Sequence, residues 1–203
     1  MRNLWAVEGM GLVRRRPLLS IARLACCVCS IGLFTLVVPA GAGLDPSGSI
    51  KRSPTEIVKN YVRLDMKGAR LDATSFDVLR PYIDWEEEPA WGSVVIIQDV
   101  DVAEDYRKWE VRNNLDVIIP VTFHVRGSVD LKTAVFVPEE RTEEIRFHVK
   151  EVRNCWRIVD PMIPPHVGLR RMVNFAREAE LGEQDAEHRA ILAALVDSLR
   201  KAK

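Results

Sequence analysis

The strongest constraint on the fold is an alternating run between positions 115 and 126. Successive side chains of a β-strand point to opposite faces of the sheet, so strict alternation predicts a strand with a single apolar face. Residues between the apolar positions are mostly polar, and the apolar positions are Leu115, Val117, Ile119, Val121, Phe123 and Val125. A strand of this length needs partner strands and a layer that covers its apolar face.

Further segments with strand patterns supply the partners. A first strand is expected over 94–102, and Gly127 marks a bend or bulge before a strand over 129–137. Pro138-Glu139-Glu140 is expected to interrupt the pattern, after which 145–159 resembles a hairpin. Strands that follow one another through short turns predict an antiparallel sheet.

Helix signals precede the strands. Ser53-Pro54-Thr55-Glu56 fits a capping box with proline at the first helical position. Apolar residues then recur at three- and four-residue steps until Gly68, and a second short helix is expected over 73–79, before Pro81. These patterns predict two helices that lie on the sheet.

The C-terminal part returns to helix. Asp160-Pro161 and Pro164-Pro165 end the last strand and place His166 at the entrance of a helix over 167–179. Asp185 can cap a final amphipathic helix, which could pack on the domain or on a partner. The whole pattern predicts an α+β fold: N-terminal helices packed on a curved, cone-shaped antiparallel sheet, followed by C-terminal helices.

The N-terminal segment has the order of an export signal. Arg14, Arg15 and Arg16 precede an uncharged apolar run over 24–38, and small residues follow it. Residues 1–40 are therefore expected to be a signal peptide or an N-terminal membrane anchor, and 41–52, rich in glycine and serine, a linker. The domain is expected to be exported across the cytoplasmic membrane and to be periplasmic or secreted, or else anchored by this segment.

The charge of the chain and its potential metal ligands limit the classes of binding partner that we expect. Residues 1–40 contain five basic residues and one acidic residue, which leaves 24 basic and 28 acidic residues in the rest of the chain. This mildly acidic remainder argues against nucleic-acid binding. His124 and His148 lack a third ligand in the sequence pattern, so no metal and no cofactor are expected. Membrane contact is expected only through an uncleaved N-terminal segment.

Three segments, PTEIVKNYVRLDMKGARLD, DWEEEPAW and NCWRIVDP, carry a resemblance to a known family. Together they resemble the nuclear transport factor 2-like superfamily, which includes the SnoaL-like cyclases and ketosteroid isomerases, and the chain resembles an exported bacterial member. The resemblance covers 53–161, so that 162–203 would be a C-terminal helical extension. It implies a cone whose open end holds a small apolar molecule, often in a homodimer, and it does not imply a reaction.

The resemblance also suggests candidate site residues. Tyr61 matches the tyrosine that serves as oxyanion donor in the isomerases, and the loop that carries their base offers Asp84 and Glu86 to Glu88 here. The late-strand aspartic acid of that family has no match, because IRFHV supplies Arg146 and His148.

The residues themselves offer a second pairing. Asp65 follows Tyr61 by four positions and shares its helix face; a buried carboxylate with a raised pKa could abstract a proton while the phenol stabilises an oxyanion. Alternatively, Tyr61 is a core aromatic and Asp65 an acid satisfied by an arginine. Trp85 and Trp91 either rim a pocket with these two residues or pin their loop to the sheet.

The expected function is non-catalytic binding of a small apolar ligand or a protein partner. The alternative is a small-molecule isomerase, dehydratase or hydrolase that uses Tyr61 and a carboxylate. An interaction module that uses the outer sheet and the final helix is a third hypothesis.

Overall fold

The computed structural model describes residues 53–202. The export signal or anchor expected over 1–40 and the linker expected over 41–52 lie outside the described residues. Within 53–202, no helix is long and apolar enough to cross a membrane. The described residues form helices and one curled sheet, an α+β architecture.

One α-helix precedes the sheet and two follow it, and the strand expected over 129–137 is wrong, because a turn over 131–134 divides it between two strands. In chain order the elements are α1 (Pro54–Met66), a 3-10 helix (Ala73–Val78), β1 (Ser93–Val102), a short 3-10 turn (Tyr106–Lys108), β2 (Glu110–Asn113), β3 (Asp116–Asp130), β4 (Val135–Val152), β5 (Cys155–Asp160), β6 (His166–Gly168), α2 (Leu169–Gly182) and α3 (Ala186–Lys201). The second predicted helix is therefore a 3-10 helix.

The first helix begins as its capping box predicts. Ser53 Oγ accepts a hydrogen bond from the Glu56 amide at 3.2 Å, and the Glu56 carboxylate accepts one from the Ser53 amide at 3.1 Å. Gly68, at φ +81°, follows the C-terminal end, where a left-handed conformation favours glycine. The local sequence therefore sets both ends of α1.

The sheet is mixed, which corrects the expectation of a purely antiparallel sheet. Its strand order is β5-β4-β3-β1-β6, with β2 paired to β3, and all pairs are antiparallel except β1 with β6. The chain leaves β5, crosses to the far edge and enters β6 in the direction of β1. His166 consequently lies in a strand, opposite Val95, and α2 begins at Leu169, two residues later than expected.

A bulge in β3 changes the face of the sheet to which the apolar side chains of the strand point. Register shifts between Val125 and Gly127, so that Val125 and Val129 belong to cores on opposite faces. Pro138 lies opposite Gly127 inside β4, and the expected break at this proline is wrong. Proline is tolerated there because β5 pairs with β4 only from His148 onward, so that no ladder on that side needs its missing N–H.

Helices cover both faces of the sheet. On one face α1 packs on residues from β1, β3, β4 and β5 to form the inner core, which includes Val58, Tyr61, Phe123, Phe147 and Ile158. On the other face α2 and α3 form the outer core, which includes Val94, Ile96, Val129, Met172, Leu195 and Leu199. The C-terminal helices therefore pack on the domain itself.

Candidate functional site

A buried arginine is the centre of the polar cluster in the inner core. Arg70 lies two residues beyond Gly68, and its side chain is fully buried. Its guanidinium donates from Nε to Glu88 Oε1 at 2.6 Å and from Nη2 to the Ile163 carbonyl at 2.5 Å. Arg70 therefore ties the turn after α1 to the acidic loop and to the segment before β6.

The same guanidinium bridges the two candidate residues on α1. Arg70 Nη1 donates to Tyr61 Oη at 3.0 Å and to Asp65 Oδ2 at 3.3 Å. The structure thus brings Tyr61 and Asp65 together, as their spacing suggests, but through an intervening cation. Arg70 is a residue that the sequence analysis did not single out, since no periodicity or motif marks it.

Tyr61 is locked by aromatic neighbours. Its ring is fully buried and meets Trp85 and Phe147 edge-on, with centroid distances of 5.8 and 5.7 Å. Burial, reinforced by the charge of Asp65, raises the pKa of the phenol well above its usual range, although Arg70 acts in the opposite direction. The hydroxyl is therefore neutral and is used as an acceptor for Arg70.

Asp65 is a buried acid with one unsatisfied oxygen. It is 1% exposed, and Oδ2 accepts from Arg70 and from the His166 amide, the latter at 3.0 Å. Oδ1 has no hydrogen-bond partner among residues 53–202. Burial raises the pKa of this carboxyl, while Arg70 and the His166 amide oppose the rise.

His166 joins this cluster from β6. Its Nδ1 lies 2.7 Å from the Pro164 carbonyl, its Nε2 lies 3.1 Å from Glu143 Oε1, and its ring packs on Phe123. Burial alone would raise the pKa of Glu143, but hydrogen bonds from His166 and Arg141 lower it overall. The sequence placed His166 at a helix entrance, and only the pairing of β6 with β1 explains its burial.

The two tryptophans have different surroundings. Trp85 is buried and donates its indole N–H to the Val159 carbonyl at 3.2 Å, so it pins the acidic loop to β5. Trp91 is half-buried and donates to Glu88 Oε1 at 3.1 Å, with Arg70 5.7 Å from its ring centroid. Both tryptophans lie near Arg70, and Trp91 lines a cavity.

That cavity, which we call the Trp91 cleft, has a volume of about 400 Å³. Arg70 and Glu88 are its charged lining residues, and its apolar lining consists of Leu71, Phe76, Pro89, Trp91, Val94, Leu131, Pro165 and Phe175. Tyr61, Asp65 and Trp85 do not line it. Apolar walls with a few fixed polar groups are typical of small-molecule sites, and the volume lies in their usual range.

The other acids and histidines do not join the cluster. Asp84, Glu86 and Glu87 are exposed, and Arg146 pairs with Glu110 at 2.9 Å on the surface. His148 Nε2 lies 2.6 Å from Asp116. In the part of the chain that the structure describes, no three His, Cys, Asp or Glu side chains are placed to hold a metal ion.

Comparisons with known proteins give one structural match and no sequence match. No protein-family model matches the chain. No curated protein matches it either. The chain is similar to a solved structure titled "Ntf2-like, potential transfer protein TraM from Gram-positive conjugative plasmid pIP501", at 12% identity and a TM-score of 0.32 over 53% of this chain and 87% of that one. A superposition at this level does not carry a function over to this chain; its own curled sheet, with α1 on one face, fits the architecture that the sequence resemblance implies.

Proposed function

We propose that this domain binds a small apolar molecule in the Trp91 cleft and does no chemistry on it. The observation that carries the proposal is the contrast between this cleft, which is open and lined mostly by apolar side chains, and the Tyr61–Asp65 pair, which is buried and does not line it. A flat apolar ligand would pack on Trp91, Phe76 and Phe175, where aromatic contacts add about 0.5–1.5 kcal/mol each beyond area burial.

Arg70 and Glu88 fix the wall of this cleft. Glu88 Oε1 accepts from both Arg70 and Trp91, so one carboxylate oxygen orients the indole and the guanidinium together. A preorganised wall loses little side-chain entropy when a ligand binds. The polar groups at the cleft are thus already paired and favour an uncharged ligand.

The enzymatic alternative needs Asp65 or Tyr61 to reach a substrate. A specific observation keeps it testable, because Asp65 Oδ1 is unsatisfied and burial raises the pKa of the carboxyl. However, Arg70 holds the other oxygen and the phenol, and neither candidate lines the cleft. An isomerase, dehydratase or hydrolase would have to move Arg70 away. Loss of turnover in Asp65→Asn with any substrate would favour this alternative.

We also propose that the domain works after export, as a periplasmic, secreted or anchored protein. The support is the order of Arg14 to Arg16, an apolar run and small residues within 1–40. Replacing the three arginines by glutamates should hold the protein in the cytoplasm, which cell fractionation would measure. Unchanged export would contradict this part of the proposal.

The binding proposal is tested with an uncharged fluorescent probe, N-phenyl-1-naphthylamine. The probe should gain fluorescence with the full-length protein, and Trp91→Ala should weaken its binding about tenfold. Trp109→Ala is the matched control, because Trp109 is also half-buried and also donates its indole N–H, to the Ala103 carbonyl at 2.7 Å, away from the cleft. Equal losses in both variants, or no binding to the unmodified protein, would overturn the proposal.

A further inference from the structure

A second and larger cavity lies where α1, β1, α2 and α3 meet, and we call it the basic groove. Its volume is about 1030 Å³. Its apolar lining is contributed by all four elements and consists of Met66, Ile97, Leu169, Val173 and Leu199. This apolar surface is separate from the Trp91 cleft, since the two cavities share no lining residue in the described part of the chain.

The charged residues that line the basic groove are cations throughout the described range 53–202. Six cations and no acidic residue of this range line it, and the cations are Arg63, Lys67, Arg126, Arg170, Arg171 and Arg200. The first turn of α2, whose N-cap Gly168 offers no side-chain hydrogen bond, lies at the same groove. The concentration is local, because residues 41–203 together are mildly acidic.

Three of these six cations have no counter-ion within residues 53–202. Arg126 pairs with Glu140, and Arg171 and Arg200 lie 3.6 and 3.9 Å from carboxylates on their own helices. Across residues 53–202, no carboxylate lies within ion-pair distance of Arg63, Lys67 or Arg170. The Arg63 guanidinium donates instead to the Asn60 amide oxygen at 2.7 Å. Unpaired cations around an apolar floor favour binding of an anion that also has an apolar part.

We propose that the basic groove binds one molecule of a single-chain amphiphile with a phosphate or carboxylate head group. The head group would pair with Lys67 and Arg170, and the alkyl chain would lie on the apolar floor. Arginine suits both anions because its planar guanidinium donates two parallel hydrogen bonds. This inference does not depend on the Trp91 cleft.

The lining and the volume of the groove favour an amphiphile over a polyanion. A nucleic acid would pair with the cations but leave the apolar floor, formed by Met66, Leu169 and Val173, without a partner. The volume is close to the upper limit of about 1,000 Å³ for sites that hold a single small molecule. A ligand with a charged head group and an alkyl chain contacts both the cations and the apolar floor.

Isothermal titration calorimetry of the full-length protein tests the inference, with dodecyl phosphate kept below its micelle concentration. Dodecyl phosphate should bind at least tenfold more tightly than either dodecanol or inorganic phosphate, since only it uses both parts of the groove. The double variant Lys67→Ala/Arg170→Ala should weaken this binding about tenfold or more. Both side chains are exposed, so the variant should keep the fold, which circular dichroism checks.

The matched control is Arg107→Ala/Lys108→Ala, which removes the same charge from an exposed turn outside both cavities. This control should leave binding unchanged. Equal affinity for dodecanol would show that charge plays no part, and equal affinity for inorganic phosphate would show that the chain plays none. Either result, or equal losses in the two double variants, would overturn the inference.

Discussion

The two faces of the sheet are built on different principles. The inner core, beneath α1, encloses the ionisable side chains of Tyr61, Asp65 and Arg70 in hydrogen-bond contact, and Asp65 also accepts from the His166 amide. The outer core, beneath α2 and α3, is formed by apolar residues such as Val94, Met172 and Leu195. One face therefore depends on matched charges, and the other on close packing.

This difference predicts how a substitution destabilises each core. A buried charge that loses its partner leaves the other group desolvated, whereas a truncated apolar side chain leaves a cavity. We therefore expect the inner core to fail through electrostatics, with strong coupling between positions. The outer core should fail through lost volume, without dependence on pH.

The largest effect is expected from Arg70→Met. This change leaves Asp65 buried without its cation and should lower the free energy of unfolding by about 3–5 kcal/mol. Adding Asp65→Asn removes the unpaired charge and should restore about 1–2 kcal/mol of that loss, because contacting groups couple. Urea unfolding of the wild type, both single variants and the double variant measures this coupling. Additive losses would mean that the inner core is not organised around this pair.

The matched change in the outer core is Leu195→Ala. Leu195 is buried among apolar residues of α2 and the sheet, so its truncation should cost about 3 kcal/mol through lost burial and a residual cavity. The loss should be the same at each pH tested by urea unfolding. A loss that varied with pH would remove the distinction between the two cores.

A smaller effect is expected at the bulge that connects the two faces. Gly127 has φ +152°, and a Cβ added there would lie 2.2 Å from the Val137 carbonyl oxygen. Gly127→Ala should therefore cost about 2 kcal/mol, because the added Cβ overlaps the backbone of β4 and because residues with a side chain rarely adopt this φ. Gly92→Ala is the control, because nothing lies within 4 Å of its added Cβ. Equal thermal shifts in the two variants would show that the bulge tolerates a side chain.

The sequence was most informative where the signal is local. The capping box at Ser53, the stop at Gly68 and the long alternation that became β3 are each set by neighbours in the chain. The presence of helices and a curled sheet followed from these patterns. Capping and alternation are properties of short segments, so a single sequence contains them.

Nonlocal features were missed for the same reason. Arg70 contacts Glu88 and Ile163, 18 and 93 positions away, and β6 forms only because β1 offers an edge for His166. The strand break expected at Pro138 was wrong. Proline fits there because β5 does not pair with that part of β4, which the local sequence does not reveal. The basic groove is assembled from cations of α1, β3, α2 and α3, so no charge run reveals it.

The smallest predicted effect concerns pH and separates two acids that contact His166, Asp65 and Glu143. Asp65 has a folded-state pKa raised above its ordinary 3.8, so its contribution to stability is largest at low pH and is lost as pH rises through the folded pKa. Glu143 has a pKa lowered below its ordinary 4.5, so its contribution is present above that value and is lost as pH falls through the folded pKa.

The two variants Asp65→Asn and Glu143→Gln should therefore change the pH dependence in opposite senses. Relative to the wild type, Asp65→Asn should gain stability as pH rises from about 4 to 7, whereas Glu143→Gln should gain stability as pH falls below about 4.5. Urea midpoints across this range measure both slopes. Parallel slopes for Asp65→Asn and the wild type would mean that Arg70 compensates the buried carboxylate fully, and the inner core would then differ from the outer one in composition but not in its response to pH.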